Sequence, residues 1–150
     1  MAGAVIGPVV FAYDGSDLAK AAIAEAARQL SAGRRALVLT VWQAFNVGFV
    51  APLELEMDAA AADQVRAAAE QAAAQGASLA NAAGFRAGSL AREAAPTWRG
   101  IVDVADEHDS SLIVLGSHGR SGLADVLIGS VAEAVAAHSR RAVLIVHRRD

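Results

Sequence analysis

The stretch Ser111–Ser130, SLIVLGSHGRSGLADVLIGS, constrains the fold more than any other part of the chain. Leu112–Leu115 is a continuous apolar run with β-branched residues at its centre, the pattern of a strand buried on both faces of a parallel sheet. It runs straight into Gly116-Ser117-His118-Gly119, and Gly129-Ser130 then opens a helical pattern carried by Val131, Ala132, Val135 and Ala136. Glycine lets the backbone approach a ligand without a Cβ in the way. Successive N–H groups can cradle an anion, and a helix N-terminus adds unpaired donors and a partial positive charge. A buried strand that ends in a glycine loop and feeds a helix start is phosphate-binding architecture.

The rest of the chain alternates in the same manner. Val9–Tyr13 reads as a first strand, bounded by the turn Asp14-Gly15-Ser16. Leu18, Ala22, Ala26 and Leu30 recur at helical spacing, with Gly33 as a stop. Ala36–Trp42 is a second strand. Asp58–Ala83 is a long Ala-rich helix with an expected inward stripe of Val65, Ala68, Ala72 and Leu79, in which Gly76 is a potential break. Phe85–Arg92 is a third strand, called for mainly by its place in the order. Pro96 suits the first turn of a helix whose buried face carries Trp98, Ile101, Val104 and Ala105. Ala142–His147 closes the chain as a fifth strand. Met1–Pro8 reads as a flexible lead. The connection 43–57 is long, and its Phe45, Val47, Phe49, Val50, Leu53 and Leu55 suggest a packed flap or a partner surface.

Strands that alternate with helices predict a parallel sheet with right-handed crossovers and helices on both faces, an α/β three-layer sandwich. A chain of 150 residues fits one such domain. The net charge of −3 offers no bulk attraction to nucleic acid, and no apolar run approaches the length of a membrane span. There is no cysteine, hence no disulfide and no thiolate metal site. Together with an N-terminus that carries no basic region before an apolar core, this makes a cytoplasmic location the expectation.

The spacing G-x2-G-x9-G-S, filled by Gly116, Gly119, Gly129 and Ser130, resembles that of the ATP-binding branch of the universal stress protein family. VVFAYDGS at Val9–Ser16 resembles that family's first strand and its Asp-Gly-Ser turn, and the similarity extends from about Val9 to His147. It implies a single domain with a five-stranded parallel sheet in the order 3-2-1-4-5, akin to the adenine nucleotide alpha hydrolases. It further implies ATP, with Mg²⁺, as the ligand, and a homodimer formed through the fifth strand, an apolar edge that needs cover. The ligand-binding positions carried over are Ala12, Tyr13 and Asp14 at the first strand's end, Val41 on the second strand, Gly116, Ser117, Gly119 and Arg120 in the loop, and Gly129, Ser130 and Val131 at the helix start.

Several of these residues have a second reading. Ser130-Val131-Ala132-Glu133 fits a capping box, which would commit the Ser130 hydroxyl to the helix. Asp14 is equally a turn former, Val41 a core valine, and Arg120 a solvated loop residue. Ala132 stands where ATP-binding relatives often carry a hydroxyl. His118 lies in the loop itself, as a phosphate contact or as a group that titrates near neutrality. The four histidines share no metal-ligand spacing, and no nucleophile–base pair is tied together, so a dedicated enzyme is not expected, with slow ATP hydrolysis left open. A family member without nucleotide, acting through its dimer surfaces, is the alternative. An adenylating synthase lacks its SGGxDS-like turn here, and a receiver domain lacks its phosphorylatable Asp and its Lys.

Overall fold

The computed structural model describes residues 6–44, 55–119 and 128–149. The elements run β1 (Val9–Ala12), α1 (Asp17–Gln29), β2 (Arg35–Trp42), α2 (Leu55–Ala82), β3 (Arg86–Glu93), α3 (Thr97–Glu107), β4 (Leu112–Gly116), α4 (Ser130–His138) and β5 (Ala142–Val146). The strands form one parallel sheet in the order β3-β2-β1-β4-β5, as expected.

Side chains alternate across a strand, and the two sides of β1 show the consequence. Val9 and Phe11 enter a core with Ala22, Ile23 and Ala26 of α1 and Ala77 and Ala80 of α2, whereas Val10 joins Ile101, Val104 and Ala105 of α3 and Ala132 and Val135 of α4. A sheet covered on both faces needs apolar residues at every position of its central strands, which is why β1 and β4 read as unbroken apolar runs.

The inward stripe of α2 differs from the expected one. Val65 and Leu79 are 37% and 38% exposed, and the buried positions are Ala69, Ala73, Ala77 and Ala80, with Gly76 among them. Small residues win here because the helix lies very close to the sheet. A Cβ at Gly76 would stand 2.7 Å from Val38 Cγ1 and 2.9 Å from Tyr13 Cδ1. Gly76 therefore leaves room for the Tyr13 ring and does not interrupt the helix. The helix also begins at Leu55, inside the stretch read as a flap; residues 45–54 lie outside the described part.

The lead is also tied down where it is described. Ser111 N–H donates to the Pro8 carbonyl (3.1 Å), and Ser111 Oγ donates to the Gly7 carbonyl (2.7 Å) while receiving Arg34 Nη2 (2.8 Å). At the same end of the sheet Arg141 spans the α3–β4 turn, from Nε to Asp106 (2.8 Å) and from Nη1 to Asp109 (3.1 Å) and the Ser110 carbonyl (2.7 Å). No helix among the described residues is long and apolar enough to cross a membrane.

Candidate functional site

The strand order reverses direction between β1 and β4, which are neighbours in the sheet. In doubly wound sheets ligands bind beyond the carboxyl ends of the strands at that point. The two sequence motifs meet there. A Cβ on Gly119 would stand 2.7 Å from Asp14 Oδ2, so the glycine loop lies directly against the Asp-Gly-Ser turn.

The turn is built from its own side chains. Asp14 Oδ1 accepts the Ser16 N–H (2.9 Å), Gly15 takes the left-handed conformation (φ 82°), and Ser16 caps α1 by accepting the Ala19 N–H at Oγ (3.2 Å). Asp14 is thus a turn former, and its second carboxylate oxygen still faces the loop. Tyr13 is fixed by its backbone: its N–H donates to the Leu39 carbonyl (2.8 Å), and its carbonyl accepts the hydroxyl of buried Thr40 (2.8 Å). Its ring is buried beneath Gly76, so the bulk of this residue is directed into the α1/α2 core. Ala12 packs on the opposite core.

The described loop glycines, Gly116, Gly119 and Gly129, serve close approach and not unusual backbone angles; among the described residues the positive-φ glycines are Gly15, Gly33 and Gly84. Gly116 packs on α1, with a Cβ there falling 2.8 Å from Leu18 Cγ. Gly129 allows α4 to start against the end of β4: its N–H donates to the Ser117 carbonyl (2.6 Å), and a Cβ would stand 2.9 Å from that same oxygen.

Ser117 proves to be a support. It is 2% exposed, its N–H donates to the Val146 carbonyl (2.8 Å), its carbonyl holds Gly129, and its hydroxyl lies 3.1 Å from His118 Nδ1. The donors without a partner among the described residues belong to the helix start. Gly129, not Ser130, is the N-cap of α4, without a side-chain cap bond, so the capping-box reading is not realised. The first intrahelical bond is Glu133 N–H to the Gly129 carbonyl (3.0 Å). The amides of Ser130, Val131 and Ala132 precede it, and no carbonyl of the helix reaches them. Gly119, Ser130 and Val131 are exposed. Ala132 is buried in the α3/α4 core, so its side chain turns away from the helix entrance and the missing hydroxyl is a core requirement.

Val41 lies on the part of β2 that runs past the end of β1, half-buried, with its side chain against α3: a Cβ on Gly100 would be 3.0 Å from Val41 Cγ1. The core reading is the one realised by its side chain, and the strand end lies beyond the carboxyl end of β1. Arg120 lies outside the described residues.

Three features escaped the sequence reading. Thr40 locks Tyr13, Gln43 Nε2 joins the Ala94 carbonyl (2.7 Å) to Thr97 Oγ1 (3.0 Å), and His118 Nε2 is buried without a hydrogen-bond partner among the described residues. A lone Thr inside an apolar strand is a signal for the first. The other two depend on which loops meet in space.

The crevice combines two features of anion sites. Glycines stand where the loop touches Asp14 and where α4 touches β4, and the next residues in the chain, Ser130 and Val131, are exposed at a helix start. Among the described residues no group of three acidic, His or Cys side chains could hold a metal ion. A second cavity, of about 270 Å³, lies between α1 and the end of β5, lined by Glu25, Arg28, His147, Arg148 and Arg149 among others. Its Glu25 carboxyl is held below the usual range first by the Arg28 hydrogen bond and then by Gln29.

A doubly wound α/β domain with an anion cradle at its switch point is a nucleotide-binding type of architecture. The pattern of the universal stress protein family matches residues 6–147, and the chain belongs to that family. It is 40% identical over 50 residues to universal stress protein MJ0577 of Methanocaldococcus jannaschii, a match that spans 33% of this chain and 31% of that relative. The solved structure of MJ0577 superposes with a TM-score of 0.82 at 21% identity, over 98% of this chain and 99% of the other. A universal stress protein solved in complex with cAMP gives a TM-score of 0.64 at 28% identity, over 96% and 98% of the two chains. The universal stress protein of Archaeoglobus fulgidus in complex with dAMP gives 0.62 at 22%, over 95% and 98%.

Proposed function

We propose that this chain binds ATP with Mg²⁺ at the β1/β4 crevice and acts as a nucleotide-dependent regulatory protein. The observation that carries the reading is the approach of Gly119 to Asp14 beside the exposed amides of Ser130 and Val131. The amides receive the phosphate oxygens. Asp14 and the end of β2 at Val41 take the ribose and adenine. Mg²⁺ enters as the phosphate-bound ion and supplies the charge neutralisation that no lysine of a Walker-type loop provides here. The relative solved with cAMP supports an adenine nucleotide as the ligand class.

The output is conformational and not catalytic. Burial of Ser117, whose hydroxyl lies 3.1 Å from His118 Nδ1, supports this reading. A cytoplasmic homodimer through β5 accompanies this reading. β5 is the outer strand beside β4, and Val143, Leu144 and Ile145 are only half-buried within one chain. Calorimetric titration of nucleotide-free protein with Mg²⁺-ATP tests the proposal. Saturable binding near one ATP per chain supports it, and a flat isotherm from folded protein refutes it and returns the family member without nucleotide as the working account.

A further inference from the structure

We propose that Asn81 guards the free β3 edge of the sheet, and that without it this edge pairs with the β3 edge of a second copy of the chain; the inference stands apart from the nucleotide reading. β3 is an outer strand, hydrogen-bonded to β2. Along a strand the peptide groups point alternately to its two sides. Arg86 N–H donates to the Arg34 carbonyl (2.9 Å) and, just past the strand, Ala94 N–H donates to the Trp42 carbonyl (3.1 Å), so the even-numbered residues of β3 face β2. Ala87, Ser89, Ala91 and Glu93 therefore direct their peptide groups outward. Such a row is a template for a further strand.

The first position of the row is taken. Asn81, in the last turn of α2, donates from Nδ2 to the Ala87 carbonyl (3.1 Å) and accepts the Ala87 N–H at Oδ1 (2.9 Å). One side-chain amide thus satisfies both outward groups of Ala87, as an added strand would. Asn81 is exposed, so its amide serves this contact and not a core. The outward groups of Ser89, Ala91 and Glu93 have no such partner among the described residues.

The place of the guard decides its effect. Antiparallel pairing of two β3 strands about a two-fold axis at Leu90 sets Ala87 opposite Glu93 and Ser89 opposite Ala91, each twice by symmetry. Each of these residue pairs exchanges two hydrogen bonds. Both Ala87–Glu93 pairs are lost while Asn81 holds Ala87, so one side chain removes half of the ladder. The two Ser89–Ala91 pairs that remain are marginal by themselves. The side chains accept a second copy as the occupant. Half-buried Leu90 meets Leu90 on the axis, Arg92 lies opposite Gly88, where a Cβ would meet nothing within 4 Å, and Arg86 lies opposite Ala94, so no like charges face each other.

Sedimentation of Asn81→Ala and wild-type protein over one concentration series tests the inference. The mass of Asn81→Ala should rise to about twice that of wild type or beyond. Adding Ser89→Pro removes an outward N–H without touching the β2 ladder and should restore the wild-type mass. Unchanged mass in Asn81→Ala overturns the proposal, and a lower urea midpoint alongside it would mean that Asn81 only fastens α2 to β3. Association that persists in Asn81→Ala/Ser89→Pro overturns it as well, because the contact then lies elsewhere. Should the double variant fold poorly, amide hydrogen exchange of associated Asn81→Ala decides. Slower exchange at Ser89 and Ala91 than in wild type supports the β3 pairing, and unchanged exchange there refutes it.

Discussion

Gly119→Ala is the smallest change that reaches the cradle. The new Cβ would stand 2.7 Å from Asp14 Oδ2, about 0.7 Å short of the 3.4 Å at which ordinary contact begins. The carboxylate has little room to yield, because its other oxygen holds the Ser16 N–H at 2.9 Å. The loop must retreat instead, and a donor set for a 2.9 Å contact then stands at about 3.6 Å, beyond a hydrogen bond. Each such bond to a charged oxygen contributes roughly 1.5–3 kcal/mol, so the Kd for Mg²⁺-ATP should rise about 10- to 100-fold. Fold stability should change little, since Gly119 is exposed and that carboxylate is the nearest neighbour the methyl group would meet. Gly88→Ala is the matched control, because a Cβ there meets nothing within 4 Å. Calorimetry gives the affinity and urea unfolding the stability of both variants. Wild-type affinity in Gly119→Ala would show that contact between loop and turn is irrelevant to the ligand.

Gly76→Ala forces a methyl group into Val38 and the Tyr13 ring; overpacking of this kind costs about 1–3 kcal/mol, measurable as a lower urea midpoint. Thr40→Val strips the buried Tyr13 carbonyl of its hydroxyl donor and should cost about 1–3 kcal/mol by the same assay. Arg92 donates to both oxygens of Glu107 (3.0 and 2.8 Å), and this hydrogen bonding, ahead of the charge attraction, holds the Glu107 carboxyl below its ordinary 4.5. A carboxyl depressed in the folded state stabilises fully above its unfolded value and loses that contribution as pH falls through the folded one. Wild type and Arg92→Ala should therefore differ in stability at pH 7 and converge in acid, and a gap that persists at pH 2 would contradict the assignment.

The alternation of apolar runs with helical patterns was enough to read a parallel sheet, because strands covered on both faces leave an unbroken apolar signature. The pairing of Asp14 with the glycine loop was also legible, since both lie at carboxyl ends of strands that the topology makes neighbours. The α2 stripe was not. Periodicity weighs large apolar residues most heavily, so Val65 and Leu79 outvoted the alanines, although a helix this close to a sheet buries its smallest side chains. The division of labour around the loop was hidden for another reason. Nothing in the motif says that Ser117 is committed on three sides while Ser130 is left open, or that Tyr13 has a glycine opposite it on a helix more than sixty residues away. Those assignments depend on long-range contacts that no local pattern encodes.

The most direct test of the central claim follows each backbone amide of ¹⁵N-labelled protein while Mg²⁺-ATP is added. The β1/β4 crevice predicts that the largest shifts fall at Gly119, Ser130 and Val131 and saturate together near one ATP per chain. Saturating shifts centred instead on Glu25, Arg28 and Arg149, around the cavity between α1 and β5, would place the ligand elsewhere and contradict the account.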